Sequence, residues 1–78
     1  MDAGRYEIKF DRIGRNHEVA PLVAVVEGEA DLCRRIRAHA RPHLRSRDFD
    51  VCVNEYGDGG FLACGMHDGG RFTIIIKA

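Results

Sequence analysis

Six arginines crowd into the fourteen residues from 34 to 47, RRIRAHARPHLRSR, with no carboxylate among them. Guanidinium groups fork onto phosphate or carboxylate oxygens, and each phosphate they neutralise releases counterions, so the run has the chemistry for holding polyanions. Arg34, Arg35, Arg37, Arg41, Arg45 and Arg47 are therefore the candidate contacts to nucleic acid or to an acidic protein surface. The plainer reading is a solvated helix face whose cations suit the negative end of the helix dipole. Such a face usually mixes both signs, and this one does not. There is no aromatic stacking platform of the kind single-strand binders use, and no helix-turn-helix pair.

The remaining chemical side chains are weaker signals. His39 and His43 stand four apart, a spacing that lets one helix turn hold a metal, but no CxxC or HExxH pattern accompanies them. Packed, hydrogen-bonded imidazoles are the commoner use of such positions, and neither a metal site nor a cofactor is assigned. Cys33, Cys52 and Cys64 are odd in number and irregularly spaced, which reads as reduced thiols rather than a disulfide framework. A cysteine nucleophile needs a lowered pKa and a nearby base. Cys64 reads as buried in a strand, Cys33 as part of an apolar helix stripe, and Cys52 as mid-strand on an outer face. His17 and His67, with Arg12 or Arg71, have the residue types of a small ribonuclease, yet both histidines fall in or beside turns. The stretch from 12 to 17, RIGRNH, extends the basic surface only if its tip lies near the C-terminal end of the helix.

These side chains need elements to position them. Tyr6, Ile8 and Phe10 alternate with Arg5, Glu7, Lys9 and Asp11, the period of a half-buried antiparallel strand. Gly14, Arg15 and Asn16 read as a turn, and a second strand follows at roughly 19 to 27, with Pro21 placing it at an edge or a strand start. Glu27, Glu29 and Asp31 put negative charge where a helix begins. The helix is expected from about 29 to 45. At 100° per residue, Leu32, Cys33, Ile36, His39, Ala40 and His43 share about 120° of arc, with Arg34, Arg37, Arg41 and Arg45 opposite them. Pro42 removes a backbone donor and clashes with the carbonyl of Ala38, so the helix kinks or ends there.

Three strands follow. The third runs from Phe49 to about Tyr56, the fourth from Phe61 to Met66 and the fifth from Arg71 to Lys77. An Asp58-Gly59 turn pairs Val53 with Cys64 and Val51 with Met66, and sets Tyr56 beside Phe61. A turn at Asp68-Gly69-Gly70 sets Leu62, Cys64 and Met66 opposite Ile76, Ile74 and Phe72. The expected fold is α+β in the order ββαβββ: a single antiparallel-rich sheet with one amphipathic helix packed on one face. Its core layer is Tyr6, Ile8, Phe10, Val51, Val53, Leu62, Cys64, Met66, Phe72, Ile74 and Ile76. The other face carries Phe61, Ala63 and Ile75 among charged residues, and these three are the candidates for self-association.

Composition bounds the rest. A chain of 78 residues reads as one domain, with a single core and a smaller buried share of its surface than a larger domain reaches. With 45% hydrophobic and 31% charged residues it is an ordinary globule. No leader pattern and no apolar run near the ~20 residues of a membrane span is visible, so a cytoplasmic location is expected, with no membrane partner. Ten arginines against two lysines fit GC-rich coding and a small bacterial or phage accessory protein. Net charge is zero, but outside residues 34–47 six cations face twelve carboxylates, so the chain is electrically polarised. A non-enzymatic binding or regulatory module is the leading expectation. A self-associating accessory protein comes second, as a homo-oligomer, and a ribonuclease-like enzyme third.

Overall fold

The computed structural model describes residues 1–45, 48–65 and 67–77. Five strands and one α-helix follow the expected ββαβββ order: β1 (Gly4–Ile13), β2 (Leu22–Val26), α1 (Glu29–Ala40), β3 (Asp50–Val53), β4 (Gly59–Cys64) and β5 (His67–Lys77). The strands form one curled antiparallel sheet in the order β2-β1-β5-β4-β3. Helix α1 packs against β2 and β3, the two edge strands, and so closes the concave side from edge to edge.

The alternation of β1 is realised: Tyr6, Ile8 and Phe10 are buried and the residues between them face outward. On the helix, Leu32, Ile36 and Ala40 follow one another at intervals of four and are all fully buried. They form the row of side chains that helix packing presents to a neighbouring layer. Burying each of the two larger ones contributes about 1.5–3 kcal/mol. His39 stacks on Phe10 with ring centroids 5.2 Å apart, and Phe10 meets Phe72 at 6.1 Å. Phe72 in turn covers Gly60, where a Cβ would collide with the Cys52 carbonyl and the Phe72 ring. The core thus runs as a ladder from α1 through β1 and β5 to β4.

Several expectations are corrected. The α-helix stops at Ala40 rather than Arg45, and Arg41–His43 form a 3-10 turn with Pro42 inside it, because proline supplies no donor to continue the α-helical ladder. His43 consequently leaves the buried stripe and is exposed, while His39 is half-buried. Strand β2 is shorter than 19 to 27, and β3 ends at Val53.

Both later hairpins differ in register. Val51 pairs with Leu62 and Val53 with Gly60, and the reversal occupies the residues from Asn54 to Asp58, with Gly57 at φ 71. The Asn54 amide donates to the Asp58 carboxylate at 2.7 Å and holds this loop. Tyr56 sits at the exposed tip and is not beside Phe61. Cys64 pairs with His67, so the next reversal falls at Gly65, φ 63, and Gly60, Leu62 and Cys64 face Phe72, Gly70 and His67. Asp68, Gly69 and Gly70 are strand, not turn. A Cβ on Gly69 would run into the Cys64 sulfur and one on Gly70 into the Arg12 carbonyl, so both glycines serve close strand approach.

Among the described residues the expected core survives with one loss. Val51, Val53 and Cys64 are half-buried against it, whereas Ile76, opposite Tyr6 at the end of β5, is 76% exposed. Met66 and Arg47 lie outside the described residues.

Candidate polyanion-binding groove

The arginines of the helix divide into two sets. Asp31, in the first turn of α1, accepts the Glu27 backbone N–H at 3.0 Å and so ties the chain entering the helix to its first turn. The same carboxylate accepts Arg34 Nη2 at 2.6 Å and Arg35 Nε at 3.3 Å on each oxygen. The bond from Arg34, then that from the Glu27 amide, holds the Asp31 carboxyl below its usual value against its own burial. Arg37 is occupied differently. Its Nη1 donates to the Phe49 carbonyl at 2.6 Å, its guanidinium lies 5.1 Å from the centre of the Phe49 ring, and Asp50 is 3.9 Å away. The ring contact adds a cation–π attraction. These three arginines clamp the helix to its own entry and to β3.

Arg41 and Arg45 are exposed, and no hydrogen bond or ion pair joins their guanidinium groups to a described residue. Arg41 stands at the C-terminal cap of α1, its backbone N–H on the Arg37 carbonyl, and Arg45 lies beyond the 3-10 turn, where the turn between β1 and β2 meets the chain. Gly14, at φ 60, opens that turn, and Ile13 and Asn16 close it by exchanging backbone hydrogen bonds at 2.9 and 3.0 Å. This is the pattern of a two-residue hairpin reversal, which favours glycine at a positive φ. The turn is fixed on three sides. Gly14 N donates to the Gly69 carbonyl at 2.7 Å, Arg12 donates to the Gly14 carbonyl at 2.9 Å, and the Asn16 amide donates to His43 Nδ1 at 3.1 Å. The last bond leaves the ring proton of a neutral His43 on Nε2. A Cβ on Gly14 would stand 3.0 Å from the His43 carbonyl, a tight contact added to the positive φ that already favours glycine.

The outcome is a groove of about 500 Å³ whose described lining is Gly14, Arg15, His43, Leu44, Arg45 and His67. It joins three segments distant in sequence: the β1–β2 turn, the end of the 3-10 turn with the chain after it, and the start of β5. Two guanidinium groups and two imidazoles line it, and no described lining residue carries a carboxylate. Arg15, like Arg41 and Arg45, is exposed and makes no ion pair with a described residue. Leu44 is half-buried against the core and anchors the segment that presents His43 and Arg45. Sequence reasoning leaves the position of the loop from 12 to 17 open. The signals that place it are Gly14 and Asn16.

A second, more open groove of about 580 Å³ lies on the outer sheet face along Asn54, Gly60, Phe61, Ala63, Gly65, His67, Asp68 and Arg71. Here Asp68 organises the charges. It accepts the Gly70 N–H at 3.0 Å and Arg71 Nε at 3.1 Å, with Arg12 at 3.6 Å. The Gly70 bond leads in holding its carboxyl below the usual value. Arg12 and Arg71 are therefore engaged by one carboxylate. His67 touches both grooves, whereas His17 lines neither.

The self-association candidates are not brought together. Phe61 and Ala63 sit in the second groove, with Phe61 opposite Arg71, while Ile75 lies further along β5 in the row of Glu7 and Val23. Burial, then the charges of Glu29 and Cys52, push the Cys33 thiol up, the reverse of what a nucleophile needs. His39 Nε2 donates to the Ala20 carbonyl at 2.8 Å, so His39 and His43 serve separate partners. Among the described residues no three or more His, Cys, Asp or Glu are placed to hold a metal, and no helix is long and apolar enough to cross a membrane.

Fold and groove define the class: a small α+β domain with a curled five-stranded antiparallel sheet, one helix and a basic groove at the helix C-terminal end. The chain matches no protein-family model, no curated protein and no solved structure.

Proposed function

We propose that the protein is a non-enzymatic binding module that engages nucleic acid through the groove at the C-terminal end of α1, with Arg15, Arg41 and Arg45 on phosphates. One observation carries this reading: Arg15 and Arg45, thirty residues apart in sequence, face one groove with His43 and His67 and with no carboxylate among its described lining residues. Guanidinium groups that are not engaged elsewhere keep their forked donors for phosphate oxygens. Arg34, Arg35 and Arg37 contribute less, because Asp31 and the Phe49 carbonyl already hold them. A cytoplasmic setting belongs to the same proposal, supported by the three free thiols. The test is fluorescence anisotropy with labelled single-stranded RNA and duplex DNA, at about 50 and about 200 mM salt. Binding at the lower salt that weakens steeply at the higher supports the reading. No binding to either at the lower salt overturns it, and polyglutamate binding in its place assigns the groove to acidic proteins.

A further inference from the structure

The two edges of the sheet are finished differently. At β3, Asp50 is exposed, Arg37 lies over the Phe49 carbonyl where the strand begins, and Asn54 and Asp58 knot the loop where it ends. Charges and covering groups of this kind are how sheet edges avoid other strands. At β2 they are missing. Leu22–Val26 reads LVAVV, with no charge in five residues, and pairs with β1 on one side only. Its outward side chains, Val23 and Val25, are 57% and 60% exposed. The backbone groups just beyond the strand are already taken. The Ala20 carbonyl accepts from His39, Pro21 has no N–H, and Glu27 N donates to Asp31. What stays open is a short apolar edge of defined length, the template that β-strand addition uses.

We propose that β2 pairs with β2 of a second copy of this chain, antiparallel about a twofold axis at Ala24, joining two five-stranded sheets into one of ten. In that register Leu22 stands opposite Val26 of the second copy and Val23 opposite its Val25, so all four exposed valines meet across the axis. β-Branched cross-strand pairs of this kind stabilise sheets. The flanking charges do not oppose it, Glu7 being held by Lys77 of its own copy at 3.1 Å. Within one copy Glu7 pairs with Val23 and Arg5 with Val25, so each row across the axis reads Glu7, Val23, Val25, Arg5 and ends in opposite charges. Within the β2–β2 ladder no like charges stand opposite each other, and the contact is isologous, the symmetry that closes a dimer. The occupant is a second copy because the edge is complementary to itself in sequence and exposure, and being uncharged it sets no like charges opposite one another.

Sedimentation velocity over a concentration series, to about half a millimolar, tests this pairing against the weak end of interface affinities. The unaltered chain of 8.7 kDa should approach twice that mass. Val23→Lys with Val25→Lys should sediment as a monomer at every concentration, weakening association roughly 100-fold or more, since four ammonium groups would meet at the axis. Both positions are exposed, and an unchanged far-UV circular dichroism spectrum establishes that the variant is folded. Phe61→Lys, in the other groove, should leave the dimer intact. A monomeric unaltered chain at the highest concentration overturns the proposal. So does a dimer that survives the double variant, or one that Phe61→Lys dissolves.

Discussion

Neutralising Arg15 and Arg45 together, as Arg15→Gln with Arg45→Gln, should remove most of the salt dependence of nucleic-acid binding. Both side chains are exposed and make no ion pair with a described residue, so the change leaves the fold alone. With Arg41 they provide about three phosphate contacts, for which log K on duplex DNA falls against log salt with a slope of about −2.7. Affinity then drops about 40-fold between ~50 and ~200 mM salt. The double variant keeps about one contact, a slope near −0.9 and a drop of only about 3.5-fold over the same range. Arg35→Gln and Arg37→Gln are the contrast. Asp31 and the Phe49 carbonyl hold those guanidinium groups, and their loss should move the slope by well under about one unit. Anisotropy titrations at four salt concentrations, with circular dichroism to verify folding, give all the slopes. A slope lowered as much by Arg35→Gln as by Arg45→Gln refutes the assignment of the site to the end of the helix.

The other predictions concern the frame of the groove. Asp31→Asn removes the charge that holds Arg34 and Arg35, so it should tighten nucleic-acid binding and steepen its salt slope; weaker binding by a folded variant contradicts the neutralising role. The carboxyls of Asp31 and Asp68 are held below the ordinary value of 3.8, so their pairing contributes stability in full above that pH and loses it as pH falls through the lower folded values. The melting temperature should be level down to about pH 4.5 and fall below it, and a level curve down to about pH 2 speaks against these pairings. Leu32→Ala, at a site with no exposure, should cost about 2–5 kcal/mol in urea denaturation. A cost under about 1 kcal/mol means the helix packs otherwise. Gly65→Ala meets open space and should cost about 1 kcal/mol for its left-handed backbone alone. Gly60→Ala meets the Cys52 carbonyl and should cost more; the reverse order contradicts the hairpin registers.

How much of this was legible depended on whether the deciding contact was local. The alternation of Tyr6, Ile8 and Phe10 and the four-residue row of Leu32, Ile36 and Ala40 are local signals, and both are realised. Pro42 marks the end of the helix, though not the 3-10 turn that carries His43 and Arg45 out of the helical faces while Arg41 still bonds back to the Arg37 carbonyl. The hairpin registers escape a local reading because glycines serve two purposes that look alike in sequence. Gly57 and Gly65 turn the chain at positive φ, while Gly60, Gly69 and Gly70 make room for neighbouring strands. In the candidate site, the arginine run is plain from composition. Its partial neutralisation is not, because Asp31 lies just outside the run and in sequence looks like a dipole-matching acid rather than a ligand of Arg34 and Arg35. The placement of Arg15 beside Arg45 rests on bonds spanning 27 residues, such as that from Asn16 to His43, which no local pattern specifies.

The most direct measurement is the amide NMR spectrum of the ¹⁵N-labelled protein, titrated at low salt with a short single-stranded RNA. Shifts that grow first at Gly14, Arg15 and Asn16, at His43, Leu44 and Arg45, and at His67 are the predicted result. Shifts centred on Arg34, Arg35 and Arg37, with the groove residues unmoved, would contradict it.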